Sequence, residues 1–181
     1  MWGIVIVVIL VILVLWVVMS QRSLVSLDEL CGNALSQIGV QQNSRWDALS
    51  ALADLTKNYS AHEHKTLMDV IGSRRSIDSN SSAQEAEEQE NMLTQAMGRL
   101  MAVAEAYPDL KANQMYKETM DGVKQYEENV RHSRMVYNDT VTKFNRTVRQ
   151  IPVCFIAGPM GFNKREYLKT EDTKTQMPSM S

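Results

Sequence analysis

Residues 1–19, MWGIVIVVILVILVLWVVM, carry no charged side chain and, apart from Gly3, only apolar ones. As an α-helix this stretch is about 28 Å long, close to the thickness of the hydrocarbon core of a bilayer. Trp2 and Trp16 lie near its two ends, where an indole ring can keep its N–H in the hydrated interface. The stretch therefore predicts a transmembrane anchor over residues 1–20.

A cleaved signal peptide is the alternative to a permanent anchor. Such a peptide carries basic residues before its apolar run and a small-x-small cleavage site after it. No Lys or Arg precedes the run here, and residues 17–22 (VVMSQR) contain no such site. We therefore expect the anchor to be retained and to cross the membrane once.

The composition of the remaining chain points to one helical domain. About 160 residues follow Ser20, which is enough for one sizeable core. The 19 Lys and Arg nearly balance the 21 Asp and Glu, so no overall field favours nucleic acid or a strongly charged partner. Between residues 21 and 151 the only proline is Pro108, and no period-two strand pattern occurs. We predict a helical domain over residues 21–152, then an apolar loop and a flexible C-terminal tail over residues 153–181.

The apolar pattern of the anchor helix continues beyond the membrane. Apolar residues recur at steps of three and four from Leu24 to Ile38, which predicts that the first helix emerges as one rod. A polar run then interrupts the pattern, and a second apolar stripe starts at Trp46. We therefore place the turn between the first and second helices between Gln42 and Ser50.

Two serines have the spacing of helix caps. Ser60 and Ser82 each precede a Glu by three residues, as in a capping box. Ser82 predicts the start of the third helix. At Ser60 the second helix either restarts or kinks, the alternative being a continuous helix with a surface serine. Residues 72–82 lose the periodicity and predict a linker, and the third helix should end before Pro108, because proline cannot donate to the helical ladder.

The fourth helix has the strongest periodic signal. From Tyr116 to Ile151, apolar residues alternate steps of four and three, as in a coiled-coil seam. A seam about 54 Å long needs partner helices of matching length. We therefore predict an all-α fold in which the transmembrane helix continues into a long antiparallel four-helix bundle.

Two charged residues, Glu127 and Arg134, fall on this seam one heptad apart. Two interpretations stay open. Either both side chains reach outward to solvent, or each forms a structural charge pair with another helix, because an unpaired buried charge costs several kcal/mol, about 3 to 5. The candidate partners are Arg74, Arg75 and Arg99 for Glu127, and Asp69 and Glu85 for Arg134.

No residue pattern in the chain indicates an enzyme. His62 and His64, two residues apart on a helix, point in opposite directions and cannot both bind one ion. Cys31 and Cys154 have no His or second Cys at ligand spacing. We therefore expect no catalytic, cofactor-binding or metal-binding residue.

Three blocks of the sequence resemble the LemA proteins of bacteria. They are residues 102–113 (AVAEAYPDLKAN), residues 137–145 (YNDTVTKFN) with Ile-Pro at 151–152, and residues 155–162 (FIAGPMGF). The resemblance implies one N-terminal membrane helix and a four-helix bundle, with Glu and Arg at positions 127 and 134. It implies no reaction, because no catalytic site is established for the family. The chain departs from the family at residues 49–52, where relatives commonly carry a Pro-Asn pair that opens the second helix.

The anchor, the seam and the missing active-site pattern favour a non-enzymatic scaffold that self-associates as a homo-oligomer and organises or remodels the bacterial membrane. A divergent relative is associated with shaping the magnetosome membrane. The alternative is a monomeric adaptor that recruits a partner protein, of unknown identity, in envelope stress, signalling or export. Arg22 is the only basic residue within about 20 residues of the apolar run, so the positive-inside rule favours a cytoplasmic domain on the inner membrane. A periplasmic domain stays open.

Alternating helix directions would return residues 72–82 and the segment after Ile151 to the bilayer, with residues 107–109 at the far tip. The apolar residues 153–162 then either plug the end of the bundle or lie in the headgroup region. Basic residues at that end would contact anionic lipids. The expected membrane-interface residues are Trp2, Trp16, Arg22, Arg74, Arg75, Arg146, Arg149, Phe155, Ile156, Phe162, Lys164 and Arg165.

Overall fold

One helix, α1 (Trp2–Thr56), contains both the apolar run and the first helix of the packed part of the chain. The structure is a computed structural model in which residues 1–169 are described. The helices after α1 are α2 (Ala61–Gly72), α3 (Ala83–Ala106), α4 (Pro108–Ala112), α5 (Gln114–Arg149) and α6 (Cys154–Ala157). No strand occurs within these residues, so the predicted all-α class is confirmed. Most of the predicted tail, residues 170–181, lies outside the described part.

The apolar run of α1 stands apart from the packed helices. Its side chains up to Leu15 are exposed, and the first fully buried side chain of α1 is Leu24. Packing therefore begins within about 6 Å of Ser20 along the helix axis. Among the described helices, α1 is the one that is long and apolar enough to cross a membrane.

The turn that the sequence predicted between Gln42 and Ser50 does not exist, because α1 continues to Thr56. The polar side chains that interrupt the apolar pattern have partners on α3. Gln42 donates a hydrogen bond to the Ala86 carbonyl at 3.0 Å, and Arg45 forms an ion pair with Glu90. Neither Pro nor Gly occurs between positions 42 and 56, so the backbone offers no reason for the helix to stop.

The predicted helix caps are present. The Ser60 hydroxyl accepts a hydrogen bond from the Glu63 backbone N–H at 3.3 Å, and α2 restarts there, so the alternative of a continuous helix is wrong. Ser82 and Glu85 form both hydrogen bonds of a capping box at the start of α3. Pro108 follows the end of α3, as predicted, and is itself the first residue of α4.

Two apolar clusters form the core. The proximal cluster, nearer to the apolar run along α1, includes Cys31, Leu35 and Ile38 of α1 with Tyr137, Val141 and Phe144 of α5. The distal cluster includes Trp46, Leu49 and Leu52 of α1 with Tyr116 and Val123 of α5. Later residues of α1 thus share a cluster with earlier residues of α5.

The predicted linker is also present, since residues 73–82 contain no helix. It lies against α1 and contributes the buried side chain of Ile77 to the proximal cluster. A Cβ atom at Gly39 of α1 would overlap the carbonyl oxygen of Ile77. The glycine at this position therefore allows the linker to approach the helix closely.

Candidate functional site

Because early residues of the packed part of α1 share a cluster with late residues of α5, the short helix α6, which follows α5, falls near the end of the apolar run. α6 packs against α1, and the residues of α1 that lose exposure at the end of the run are Trp16, Val17, Ser20 and Leu24. Ala157 of α6 is fully buried. The chain after α5 therefore covers the end of the packed helices next to the apolar run.

The apolar side chains of this segment divide between the core and the surface. Phe162 packs against the proximal cluster, and Ile156 is half-buried. Phe155 is 72% exposed and Ile151 is 80% exposed. An exposed aromatic and an exposed aliphatic side chain beside an anchor suit the boundary between headgroups and acyl chains. The sequence did not single out Ile151, because its spacing assigned it to the helical seam.

Three of the expected basic residues form an exposed group beside α6. Arg146 and Arg149 lie on the last turns of α5, and Lys164 follows α6. None of the three forms an ion pair within residues 1–169. Arg149 lines two neighbouring shallow clefts, one with Lys164 and one with Arg146. Arg22 is also exposed, two residues beyond Ser20.

The phenol of Tyr167 belongs to the same surface. Its oxygen lies 3.4 Å from the Thr142 hydroxyl, and the neighbouring Thr142 and Asn145 side chains lower its pKa below the ordinary value. Tyr167 also lines the cleft that contains Arg146 and Arg149. The surface therefore combines basic side chains with a phenol that lies close to two polar side chains of α5.

Arg165 differs from the other basic residues at this end. Its Nε donates a hydrogen bond to Asp28 Oδ1 at 2.8 Å, and this hydrogen bond raises the pKa of the guanidinium. The side chain is only 27% exposed. Arg165 therefore ties the C-terminal segment to α1, which takes it away from the expected contact with lipid.

Arg74 and Arg75 lie far from the anchor, in contrast to the expectation that the linker returns them to the bilayer. Arg74 pairs with Asp47 at 2.9 Å, and Asp47 lies about 40 Å beyond Ser20 along α1. The backbone N–H of Arg75 donates a hydrogen bond to Gln89. The early end of the linker is therefore held near the far end of α1, because α1 is longer than the helix predicted from the sequence.

Glu127 has a partner that the sequence did not suggest. Arg45 of α1 is buried and lies between Glu90 of α3 and Glu127 of α5, with Arg45 Nη2 at 3.3 Å from Glu127 Oε1. The candidates Arg74, Arg75 and Arg99 are not its partners. The Glu127 side chain is 52% exposed, so Arg45, and not Glu127, is the buried charge at this level. The sequence did not indicate Arg45, because Arg45 falls in the polar run that predicted a turn.

Arg134 has no carboxylate partner among residues 1–169. Its Nη2 donates a hydrogen bond to the backbone carbonyl of Lys169 at 2.7 Å. The prediction that Arg134 pairs with Asp69 or Glu85 is therefore wrong. Arg134 instead holds the segment of residues 163–169, which we call the strap, against α5.

The remaining titratable groups of residues 1–169 do not gather into a site. His64 Nδ1 lies 2.9 Å from the Ala53 carbonyl oxygen, whereas His62 is exposed. Cys31 is buried and Cys154 half-buried, and neither is bonded to the other. Within residues 1–169 no three His, Cys, Asp or Glu side chains are grouped as metal ligands would be.

Comparison with known proteins gives one family and a few relatives. The model of the LemA family matches residues 34–181. The magnetosome proteins MamQ 1 and MamQ 2 of Paramagnetospirillum magneticum are each 32% identical over 74 residues, which are 41% of this chain and 27% of the relative. The magnetosome protein MamQ of Magnetospirillum gryphiswaldense is 31% identical over 72 residues, 40% of this chain and 26% of the relative. The matches thus span about a quarter of each relative's length.

Proposed function

The chain belongs to the LemA family, and from this premise we propose that it is a non-enzymatic, membrane-anchored helical scaffold that self-associates and organises or remodels a bacterial membrane. The continuity of α1 carries the proposal. One unbroken helix joins the apolar run to the packed helices, so any tilt or clustering of the packed part moves the membrane span with it. A flexible linker would not couple the two in this way.

We place α1, α2, α3 and α5 in an antiparallel four-helix bundle. The order of residues in the two clusters supports opposite directions for α1 and α5. Ala86 of α3 belongs to the proximal cluster and Leu100 to the distal one, as expected if α3 runs in the direction of α1. The contacts of His64 with Ala53 and of Arg74 with Asp47 support a return direction for α2. Such a bundle gives the anchor a rigid extension.

The surface around α6 is our candidate for direct contact with lipid. Ile151 and Phe155 would enter the headgroup region, because their exposed apolar surface lies beside the end of the anchor. Arg146, Arg149 and Lys164 would contact the phosphates of anionic lipids. Each basic residue close to an anionic leaflet contributes about 1 kcal/mol. The lipid bilayer is therefore the first partner that we assign.

We place the packed helices on the cytoplasmic side of the inner membrane. The support is Arg22, which the positive-inside rule favours on that side. The relatives are named as magnetosome proteins, which agrees with a membrane role. An impermeant maleimide applied to intact cells should fail to label a cysteine introduced at Met115, which is 59% exposed. Labelling before lysis would place the domain in the periplasm instead.

Self-association is tested on the full chain. We expect mass photometry in mild detergent to give oligomers, and electron cryomicroscopy of reconstituted vesicles to show a change in vesicle shape that grows with protein density. Monomers at all concentrations, with unchanged vesicles, would contradict the scaffold. If such a monomer were crosslinked in cells to one different protein, the result would support the adaptor function.

A further inference from the structure

The strap is bound to α5 through its backbone. Asn138 donates from Nδ2 to the Leu168 carbonyl at 2.8 Å and accepts from the Leu168 N–H at 2.9 Å. Asn145 makes the same pair of hydrogen bonds with Arg165, both at 2.9 Å. Each asparagine side chain therefore forms hydrogen bonds with both the N–H and the C=O of one extended residue, as a neighbouring strand would. Recognition of this kind gives affinity for an extended peptide with little dependence on its side chains.

Further backbone contacts extend this recognition along the strap. The Tyr137 hydroxyl donates to the Glu166 carbonyl at 3.0 Å, and Arg134 donates to the carbonyl of Lys169. The Lys169 N–H donates to Glu87 of α3 at 2.6 Å. We call the surface formed by Asp28, Glu87, Arg134, Tyr137, Asn138 and Asn145 the strap groove.

Two side chains of the strap give the groove its specificity. Leu168 is 3% exposed and belongs to the proximal cluster. Arg165 pairs with Asp28 of α1 at 2.8 Å. The groove therefore selects an extended segment with a basic residue three positions before an aliphatic one.

Among the described residues, the backbone hydrogen bonds of the link between α6 and the strap are local ones, donated by Met160, Gly161 and Phe162 to carbonyls of residues 156–158. Residues 158–161 are exposed, and a Cβ atom at Gly158 or Gly161 would meet nothing within 4 Å. Gly161 has a φ of 86°, which favours glycine. A change of direction at residues 158–161 would break these turn hydrogen bonds but no core packing, and Phe162, which packs against the proximal cluster, would move with the strap. Hinges of this kind are where protomers exchange segments.

We propose that the strap groove also binds the strap of a second copy of this chain, so that two neighbouring anchored chains exchange straps. The inference rests on the proposed self-association and names its interface. A second copy offers the same extended backbone, the same Arg165 and the same Leu168, so every contact of the groove is reproduced between chains. The chain from Ala157, which stays in α6, to Phe162, which moves with the strap, spans at most about 18 Å, or about two interhelical spacings. Only a directly adjacent chain can take part, and anchoring in one membrane provides it.

The test uses the Asp28–Arg165 pair in two full-length variants with different tags. Asp28→Arg places two arginines in contact within its own chain, and Arg165→Asp places two aspartates in contact. When the two variants exchange straps with each other, one groove pairs Arg at position 28 with Asp at position 165, and the other restores the native pair. We expect the mixed dimer to be enriched about tenfold over either self-dimer, equivalent to about 1.4 kcal/mol. The measurement is tandem purification from co-reconstituted membranes.

The matched control is the double variant Asp28→Arg with Arg165→Asp, whose charges agree within one chain. It should show no preference for mixed dimers when it carries the two tags. Self-association of the wild type with no enrichment of the mixed dimer would overturn the exchange and leave the scaffold standing. Absence of any self-association in the wild type would overturn both.

A second measurement does not depend on the folding of the charge variants. A photo-crosslinking residue replaces Tyr167, which is 51% exposed, and chains with light and heavy isotopes are mixed in one membrane. Peptides that join a light strap to a heavy α5 support the exchange. Crosslinks found only between peptides of the same isotope would overturn it.

Discussion

Arg45 is the residue on which the middle of the packed helices depends. It lies between the distal and proximal clusters and joins α1 to both α3 and α5 through Glu90 and Glu127. Its side chain is 4% exposed, whereas that of Glu127 is 52% exposed. Burial of a charge costs free energy unless the charge is paired. When one partner of a buried pair is removed, the other keeps the full cost of its lost hydration. Substitution of Arg45 should therefore lower the stability of the fold much more than substitution of Glu127.

Arg45→Met should lower the free energy of unfolding by about 3 to 5 kcal/mol, because Glu90, whose side chain is 13% exposed, is left without its cation. For a chain of this size each kcal/mol changes Tm by about 2–4 °C. The matched control Glu127→Gln should cost less than about 1 kcal/mol, since an exposed pair is screened by solvent. Thermal denaturation followed by circular dichroism measures both. Equal Tm values for the two variants would show that Arg45 is not the critical member.

Glu85 should make stability depend on pH through the capping box. Hydrogen bonds from the Ser82 backbone and hydroxyl hold its pKa below the ordinary 4.5. Because the folded state has the lower pKa, this stabilisation is present above the unfolded pKa and is lost as pH falls through the folded pKa. Glu85→Gln keeps a capping amide but should flatten the fall in stability between about pH 5 and pH 3. Urea denaturation at several pH values measures this dependence of stability on pH. An unchanged loss of stability at acid pH in Glu85→Gln would contradict the role of Glu85.

At the scale of elements, the linker folds back on α1 and the strap on α5, and neither is helical itself. The linker depends on the close approach of Ile77 to Gly39, and the strap depends on Asn138 and Asn145 of α5. Both contribute a buried side chain to the proximal cluster, Ile77 from the linker and Leu168 from the strap. The proximal half of the core is therefore closed by two irregular segments rather than by helices alone.

Gly39→Ala should lower the free energy of unfolding by about 1–3 kcal/mol, because the new Cβ atom meets the backbone of the linker, which must move. Gly98→Ala is the matched control, since Gly98 is an exposed glycine inside α3 with nothing within 4 Å of an added Cβ. It should raise stability by up to about 1 kcal/mol through helix propensity. In urea denaturation, the two variants should change the free energy of unfolding in opposite directions. A change in the same direction for both would show that the linker does not pack on Gly39.

Opening of the strap should be reported by the thiol of Cys31. Burial raises the pKa of this thiol, and the residue shares the proximal cluster with Leu168, so alkylation of the native chain should be slow. In a Cys154→Ser background, Leu168→Ser should speed alkylation of Cys31 by at least about tenfold, as measured by mass spectrometry. Tyr167→Ser, at an exposed position of the strap, is the control and should have a small effect. Equal rates in all three proteins would mean that Leu168 does not cover this part of the core.

At the scale of the whole molecule, the anchor and α6 define one end, and the start of α5 lies at the other. Phe155 is exposed beside the anchor, and Met115 is exposed next to the distal cluster. Position 155 is expected at the lipid surface, and position 115 is expected in water. The proposed function requires these two positions to differ in their contact with lipid.

Spin labels at positions 155 and 115, each in the full chain with both native cysteines replaced by serine, should report this difference in vesicles. The label at 155 should collide more often with oxygen and less often with a water-soluble nickel complex, because oxygen partitions into lipid. The label at 115 should show the reverse. Adding Arg146→Gln with Arg149→Gln should reduce the immersion of the label at 155 in anionic vesicles, since about 1 kcal/mol is lost for each charge. Equal nickel accessibility at 155 and 115 would exclude contact of α6 with the bilayer.

The sequence by itself determined the apolar run, the helical class and the caps at Ser60 and Ser82. Each of these depends on residues within one or two helical turns of one another, so periodicity and spacing are sufficient to predict them. The end of α1 and the partner of Glu127 were decided by the tertiary structure. Arg45 reaches partners 45 and 82 positions away, and Arg165 reaches Asp28 across 137 positions. A polar run predicts a turn when its neighbours are unknown, but it continues as a helix when α3 supplies a carbonyl for Gln42 and a carboxylate for Arg45. The cost of burying a polar group depends on partners that only the folded chain brings together.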